Sequence, residues 1–226
     1  MSDTNLTLKQ QVIKEIPPGF IRALYERVGY VYPTSHAKIS NDPLLGEEQA
    51  NYVLGHYRRG LAEKIFWDTG FEYGLAVECM QPDNGGCKHV RVSSENFKFS
   101  MCHVSTCGGF PKHSDSREQS SKINDHLQQQ FMFPFESEVE SANQPFYGIF
   151  VHTEITKKKD IFNSLHLGFP NTDFNGWVDE PIDIRDLIDI QQRLFQDRDD
   201  VYAEVQNDNP VWKYTKIDAD EDKGKK

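Results

Sequence analysis

The strongest constraint on the fold is a run of alternating apolar and polar residues between 71 and 104. The apolar set of its first strand comprises Phe71, Tyr73, Leu75 and Val77. A period of two is typical of a β-strand with one buried face. The segment 82–86 has the composition of a hairpin loop, and alternation resumes over 88–93 and 97–104. The pattern therefore predicts antiparallel strands in which Val77 lies opposite Val90 and Glu78 lies opposite His89.

Helical periodicity occupies much of the remaining chain. The strongest signal runs from about 44 to 68, where apolar residues recur at helical spacing and charged residues occupy the other face. Shorter helices are predicted at 6–16, from about residue 20, at 121–131 and at 183–195, whereas 29–43, which contains Pro33, is predicted to be a loop. A second hairpin is predicted at about 146–169. Helices interspersed with antiparallel hairpins indicate an α+β fold.

Length and composition predict one domain. The 226 residues suit a single α+β domain over 1–217, followed by a charged tail at 218–226 that is expected to be disordered. The N-terminus has no secretory signal pattern and no apolar stretch reaches membrane-spanning length, so no membrane partner is expected. Four cysteines are too few for a disulfide scaffold in a chain of this size. A cytoplasmic protein is therefore predicted.

The charge is acidic and uneven. The net charge is -10, and residues 173–200 carry nine acids against three bases. Bulk binding of nucleic acid usually requires the opposite sign, although a local basic site remains compatible with this balance. An acidic segment of this kind favours a protein partner or a homo-oligomer.

The cysteines form a cluster in the sequence and could bind zinc. The possible ligands are Cys79, Cys87, Cys102 and Cys107. A structural zinc site needs four such ligands converging in a tetrahedron. The spacers of seven and four residues differ from the two-residue spacer of common zinc knuckles. The alternative interpretation is that these are isolated thiols inside the β region.

The polar face of the predicted meander could hold a hydrolytic site. Its candidate catalytic residues are Glu72, Glu78, His89 and Lys98. Two acids and a lysine on neighbouring strands could bind a divalent cation that activates water, as in a metal-dependent nuclease. The alternative is a solvated face with weak cross-strand ion pairs.

Two further groups are candidate binding residues. Arg58 and Arg59 lie side by side in the long predicted helix, and adjacent arginines can recognise phosphate or carboxylate groups. Their alternative role is a charged helix face paired with Glu63. The second group comprises Asp179, Asp183, Asp186 and Trp177, which could contact a partner. Asp183 also suits the N-cap of a helix, and Trp177 could instead fill a loop.

These observations predict an interaction or regulatory protein that acts through protein contacts. The acidic 173–200 region is the candidate contact surface. The sequence contains no nucleophile elbow, P-loop, dinucleotide glycine motif or metalloprotease motif. A metal-dependent nuclease or hydrolase is the first alternative, with a divalent cation as its cofactor. A zinc-organised binding module is the second.

Overall fold

The computed structural model of the chain describes residues 7–81, 88–127, 145–155 and 158–196. The helices in these ranges are α1 (Leu8–Glu15), α2 (Phe20–Ser40), α3 (Glu47–Glu72), α4 (Asp115–Ser121) and α5 (Ile184–Gln196). The strands are β1 (Ala76–Met80), β2 (His89–Ser93), β3 (Phe97–His103), β4 (Phe146–Ile155), β5 (Lys158–Gly168) and β6 (Ile182–Asp183).

The described strands form one sheet in the order β1-β2-β3-β4-β5-β6. Neighbouring strands are antiparallel except for β3 and β4, which run parallel. A parallel pair needs a crossover connection, and residues 104–145 supply it. The predicted α+β fold, with antiparallel hairpins in both halves of the chain, is confirmed.

The inner face of the sheet packs against α1, α2 and α3. Its core side chains include Val92, Phe99, Phe150, Leu165 and Leu167. Each of these is at most 1% exposed. Burying one such side chain contributes roughly 1.5–3 kcal/mol, so this layer supplies most of the driving force for folding.

The outer face is the opposite side of the sheet. Its centre carries Tyr147, Ile149 and Val151 of β4, which pack with Val104 and Phe174 from two covering segments. These segments are the crossover after β3 and the loop between β5 and β6. Both covering segments therefore lie next to the polar residues that β5 presents on this face.

The first strand begins later than the sequence pattern predicts. α3 continues to Glu72, and β1 starts at Ala76. The helix ends in a Schellman motif, in which the N–H of Gly74 bonds the Phe71 carbonyl at 3.1 Å and the N–H of Leu75 bonds the Gly70 carbonyl at 2.9 Å. Gly74 has a φ of +73°, which favours glycine at this position. The expected strand position of Glu72 is therefore wrong.

The predicted register of the first hairpin is wrong by two residues. Val77 lies opposite Val92, and Glu78 lies opposite Arg91. A shift of two keeps every side chain on its expected face, because side chains alternate with a period of two. The hydrophobic pattern therefore predicted which face of the sheet each side chain occupies, but not which residues of β1 and β2 lie opposite each other.

The loop predicted for 29–43 is largely helical. α2 runs through Pro33 to Ser40. A proline inside a helix costs about 3 kcal/mol. Val31, Tyr32 and Ile39 flank it and are buried. Their burial outweighs the cost of the proline.

The predicted helix cap at the start of α5 is confirmed. Asp183 accepts a hydrogen bond from the backbone N–H of Arg185 at 2.9 Å, so it caps α5 as predicted. Residues up to Gln191 form one compact unit, and 192–226 form another, of which the structure describes only the end of α5. The predicted tail at 218–226 lies outside the described residues, as does the second part of the helix predicted at 121–131. No described helix combines the length and apolar character that crossing a bilayer requires.

Candidate thiol–imidazole site

Arg58 binds a carboxylate of the chain itself. Its guanidinium donates to Glu154 Oε2 at 3.2 Å and to the carbonyl of Lys159 at 2.6 Å. It also lies over the ring of Tyr32, 4.4 Å from the ring centroid. Only 5% of Arg58 is exposed. The side chain is therefore committed to the interior and not presented to a ligand.

Arg58 belongs to a larger group, which we call the inner-face cluster: Tyr32, Arg58, His103, His152 and Glu154. The Tyr32 hydroxyl lies 2.7 Å from His152 Nδ1, and Glu154 Oε2 also hydrogen-bonds His103 Nε2. Burial lowers the pKa of His152 to about 3 and raises that of Tyr32. Both side chains are therefore neutral near pH 7 and suit a structural hydrogen bond.

The residues of the predicted hydrolytic site are partly brought together. Glu78, His89 and Lys98 lie on the outer face, as the pairing of β1, β2 and β3 requires. Glu72 is elsewhere, at the end of α3, and forms an ion pair with Arg27 at 2.7 Å. Glu78 contacts Arg91 at 3.5 Å. The nuclease hypothesis therefore retains three of its residues on one face.

The cysteines lie apart. Cys79 is exposed on the inner face of β1, Cys102 points to the outer face of β3, and Cys107 follows in the crossover. Cys87 lies outside the described residues. Cys79 and Cys102 are on opposite sides of the sheet and do not share a site. In the ranges that the structure describes, no three His, Cys, Asp or Glu residues are grouped to hold a metal ion.

The acidic segment has local structural roles. Both carboxylate oxygens of Asp183 bind the Arg185 side chain, and Asp186 lies 3.6 Å from Lys9. Asp179 accepts from the N–H of Glu180 at 2.8 Å. Asp179 and Asp186 nevertheless remain exposed.

Cys107, Ser164 and His166 form the candidate site, which we call the thiol site. Cys107 Sγ lies 3.7 Å from His166 Nε2, and the Ser164 hydroxyl donates to the same sulfur at 3.4 Å. Ser164 and His166 are two residues apart on β5, so both reach the outer face where the Cys107 loop crosses. Cys107 is exposed, whereas His166 is only 9% exposed. The thiol is thus accessible while its imidazole partner is held in place.

The loop that carries Cys107 is fixed by two hydrogen bonds and one contact between aromatic rings. Gly109 N–H bonds the Thr106 carbonyl at 3.0 Å, and Trp177 Nε1–H bonds the Gly108 carbonyl at 3.1 Å. Gly108 adopts a φ of +62°, a conformation that favours glycine. Trp177 also packs on Phe110, with ring centroids 4.7 Å apart. Trp177 therefore supports the thiol loop, as the loop-filling alternative predicts.

The electrostatic environment favours a neutral His166. Burial lowers the pKa of His166, and Arg185 adds to this effect, while Asp183 and Asp186 oppose it. A neutral imidazole can accept the proton of a thiol. His166 Nδ1 is buried and has no hydrogen-bond partner among the described residues. Buried polar atoms are usually paired, and an exception often indicates a functional role.

The thiol site brings together the groups that can activate a nucleophile. A histidine within hydrogen-bonding reach of a cysteine can remove its proton, and a hydroxyl that donates to sulfur stabilises the thiolate. The sequence pattern indicated Cys107 as a zinc ligand or an isolated thiol and did not select Ser164 or His166. The available signal was their spacing, because two polar residues alternate with Leu165 and Leu167 in the second half of β5.

Comparison of the chain with protein-family models, with curated proteins and with solved structures finds no match.

Proposed function

We propose that the protein is a cysteine-dependent acyl-transfer enzyme in which Cys107 is the nucleophile and His166 is the general base. The observation that carries the proposal is the Sγ to Nε2 distance of 3.7 Å, with the Ser164 hydroxyl directed at the same sulfur. A nucleophile and a base within hydrogen-bonding reach of each other are the signature of covalent catalysis, and the distance is often longer in the absence of substrate.

The proposed reaction has two steps. First, the Cys107 S–H proton passes to His166 Nε2, and the thiolate attacks the acyl carbon of an ester, thioester or amide. A thioester to Cys107 forms, and the leaving group departs with the proton from His166. Second, water gives a proton to the same Nε2 and attacks the thioester carbon, which releases the acid and returns the proton to the sulfur.

The first experiment measures thiol reactivity. Purified protein is treated with iodoacetamide at pH 7, and alkylation of each cysteine is followed by peptide mass spectrometry. Cys79 serves as an internal control, because it is also exposed, and no histidine of the described residues forms a hydrogen bond with it. We expect Cys107 to react about tenfold faster than Cys79, since His166 can accept the thiol proton as the sulfur attacks.

Substitution of the base provides the matched control. In His166→Gln, the rate at Cys107 should fall to that of Cys79, while the rate at Cys79 should not change. Equal rates in the wild-type protein would contradict the proposal. Hydrolysis of a panel of p-nitrophenyl esters and acyl thioesters, lost in Cys107→Ala, would then define the acyl group.

The second candidate is binding of a basic protein partner through the acidic 173–200 region. Its support is that Asp173, Asp179, Glu180 and Asp189 have exposed side chains there. Replacing Asp179 and Glu180 by Lys would abolish pull-down of such a partner without changing ester hydrolysis. Cys107→Ala would have the opposite effects, so the two functions can be separated.

A further inference from the structure

Three arginines from different elements lie near His89 at the β1–β2 end of the sheet. His89 and Arg91 are two residues apart on β2 and lie on the same face. Arg59 of α3 donates to the carbonyl of Lys88, the residue before His89, at 3.1 Å. Arg117 lies on α4, which covers this end of the sheet. We call Arg59, His89, Arg91 and Arg117 the arginine cluster.

Two contacts fix the position of α4 over the cluster. Ser116 Oγ lies 3.4 Å from His89 Nε2, and Arg91 Nη2 donates to Ser120 Oγ at 3.3 Å. Arg117 lies between these two serines in the sequence, so its Cα is held close to both His89 and Arg91. The cluster is therefore assembled from three different elements and held by named hydrogen bonds.

The described carboxylates neutralise the charges of Arg91 and Arg117 only in part. Arg59 pairs with Glu63 at 2.9 Å, and Arg91 has only a 3.5 Å contact with Glu78, whose side chain is 53% exposed. Arg117 donates to the backbone carbonyl of Lys112 and has no carboxylate partner in the described ranges. Burial, followed by Arg91, Arg117 and Arg59, lowers the pKa of His89. His89 therefore adds no positive charge until an anion is bound.

We propose that the arginine cluster binds the phosphate group of a small phosphorylated ligand. Guanidinium groups match phosphate oxygens by paired hydrogen bonds, and Ser116 supplies a further polar contact. The net charge of -10 disfavours a long polyanion such as nucleic acid. This inference is independent of the thiol site.

The test is a titration with inorganic phosphate and with sulfate at constant ionic strength. Calorimetry should give saturable binding of one ion per chain. Sulfate does not titrate near neutral pH, so NMR of the His89 ring in its presence should reveal a raised His89 pKa. Arg117→Ala should weaken binding by about tenfold, because a charge-assisted hydrogen bond is lost. Arg117→Lys should lose less of the binding affinity than Arg117→Ala, since lysine retains the positive charge.

Control variants make the result specific. Arg22 is exposed on α2, and Arg22→Ala should bind both ions with wild-type affinity. Cys107→Ala should also bind them normally, which separates this proposal from the enzymatic one. Binding that does not saturate, or that falls equally in Arg22→Ala and Arg117→Ala, would overturn the proposal. Tighter binding of a single-stranded oligonucleotide than of phosphate would replace the small ligand by nucleic acid.

Discussion

The inner-face cluster and the thiol site place polar side chains on opposite faces of one sheet, and they differ in how completely those groups are paired. In the inner-face cluster, Arg58 donates to three acceptors and Glu154 accepts from two donors. None of its buried polar side-chain atoms lacks a partner. In the thiol site, the sulfur is exposed and His166 Nδ1 is buried without a partner among the described residues.

The difference indicates separate roles for the two groups. A fully paired buried network stabilises one arrangement of the chain, because removal of any member leaves another polar group unpaired. An incompletely paired group costs stability and is retained where chemistry or binding requires it. Substitutions in the inner-face cluster should therefore change stability, whereas substitution of Cys107 should change reactivity alone.

The largest effect is expected for Arg58→Met. Methionine retains much of the apolar stem but leaves Glu154 without its buried partner. We expect the free energy of unfolding to fall by about 3–5 kcal/mol, measured by urea denaturation. Arg22→Met, at an exposed position, should change it by less than about 0.5 kcal/mol. A similarly small change for Arg58→Met would show that the inner-face cluster contributes little to the stability of the fold.

The second-largest expected effect is a pH dependence of the free energy of unfolding, caused by His152. Its pKa is about 3 in the folded chain, against an ordinary 6.5. Below pH 6.5 the unfolded chain binds a proton that the folded chain excludes, so stability is complete above pH 6.5 and declines as the pH falls. Between pH 6.5 and 5 the loss should be about 2 kcal/mol.

Urea denaturation at several pH values measures this effect. His152→Gln should have a flatter profile than the wild type over the same pH range. The matched control is His113→Gln, since His113 is exposed, and it should retain the wild-type slope. Parallel profiles for the wild type and His152→Gln would exclude His152 as the titrating group.

Tyr32→Phe should have a smaller effect. The substitution removes only the hydroxyl that lies 2.7 Å from His152 Nδ1 and leaves that nitrogen buried and unpaired. We expect a loss of about 1–2 kcal/mol in the free energy of unfolding, measured by urea denaturation. Tyr30→Phe is the control, because Tyr30 lies on the same helix and is 68% exposed. Equal losses in the two variants would argue against the Tyr32–His152 bond.

The smallest change in stability is expected for Cys107→Ser. The side chain is exposed, so the free energy of unfolding should change by about 0.5 kcal/mol or less. Reactivity toward iodoacetamide at this position should be lost completely. A loss of stability comparable to that of Tyr32→Phe would mean that the thiol site is a structural contact like the inner-face cluster.

Local patterns predicted the class of the fold but not its boundaries. Alternation placed the apolar residues of the strands on the correct face. The end of α3 depended on Gly74, a helix-termination signal that the strand pattern obscured. The continuation of α2 through Pro33 depended on burial against elements distant in sequence, which propensity does not include.

The site residues were predictable only in part for a similar reason. Arg58 was selected as an adjacent arginine, yet its partner Glu154 is 96 positions away, and only the folded chain joins them. Cys107 and His166 are 59 positions apart and lie on different elements. Their residue types indicate the chemistry that is possible, but their proximity follows from tertiary structure.

The parallel pairing of β3 with β4 has a consequence for folding kinetics. The strands β1 to β3 and the hairpin of β4 with β5 each form from contacts close in sequence, whereas joining them requires closure of the chain over residues 104–145. Pairing across such a long separation is slow, so we expect it to limit the folding rate. Cys107 lies within that connection and His166 lies beyond it. A partly folded chain, such as one still emerging from the ribosome, would therefore lack the contact between Cys107 and His166 until this last step is complete.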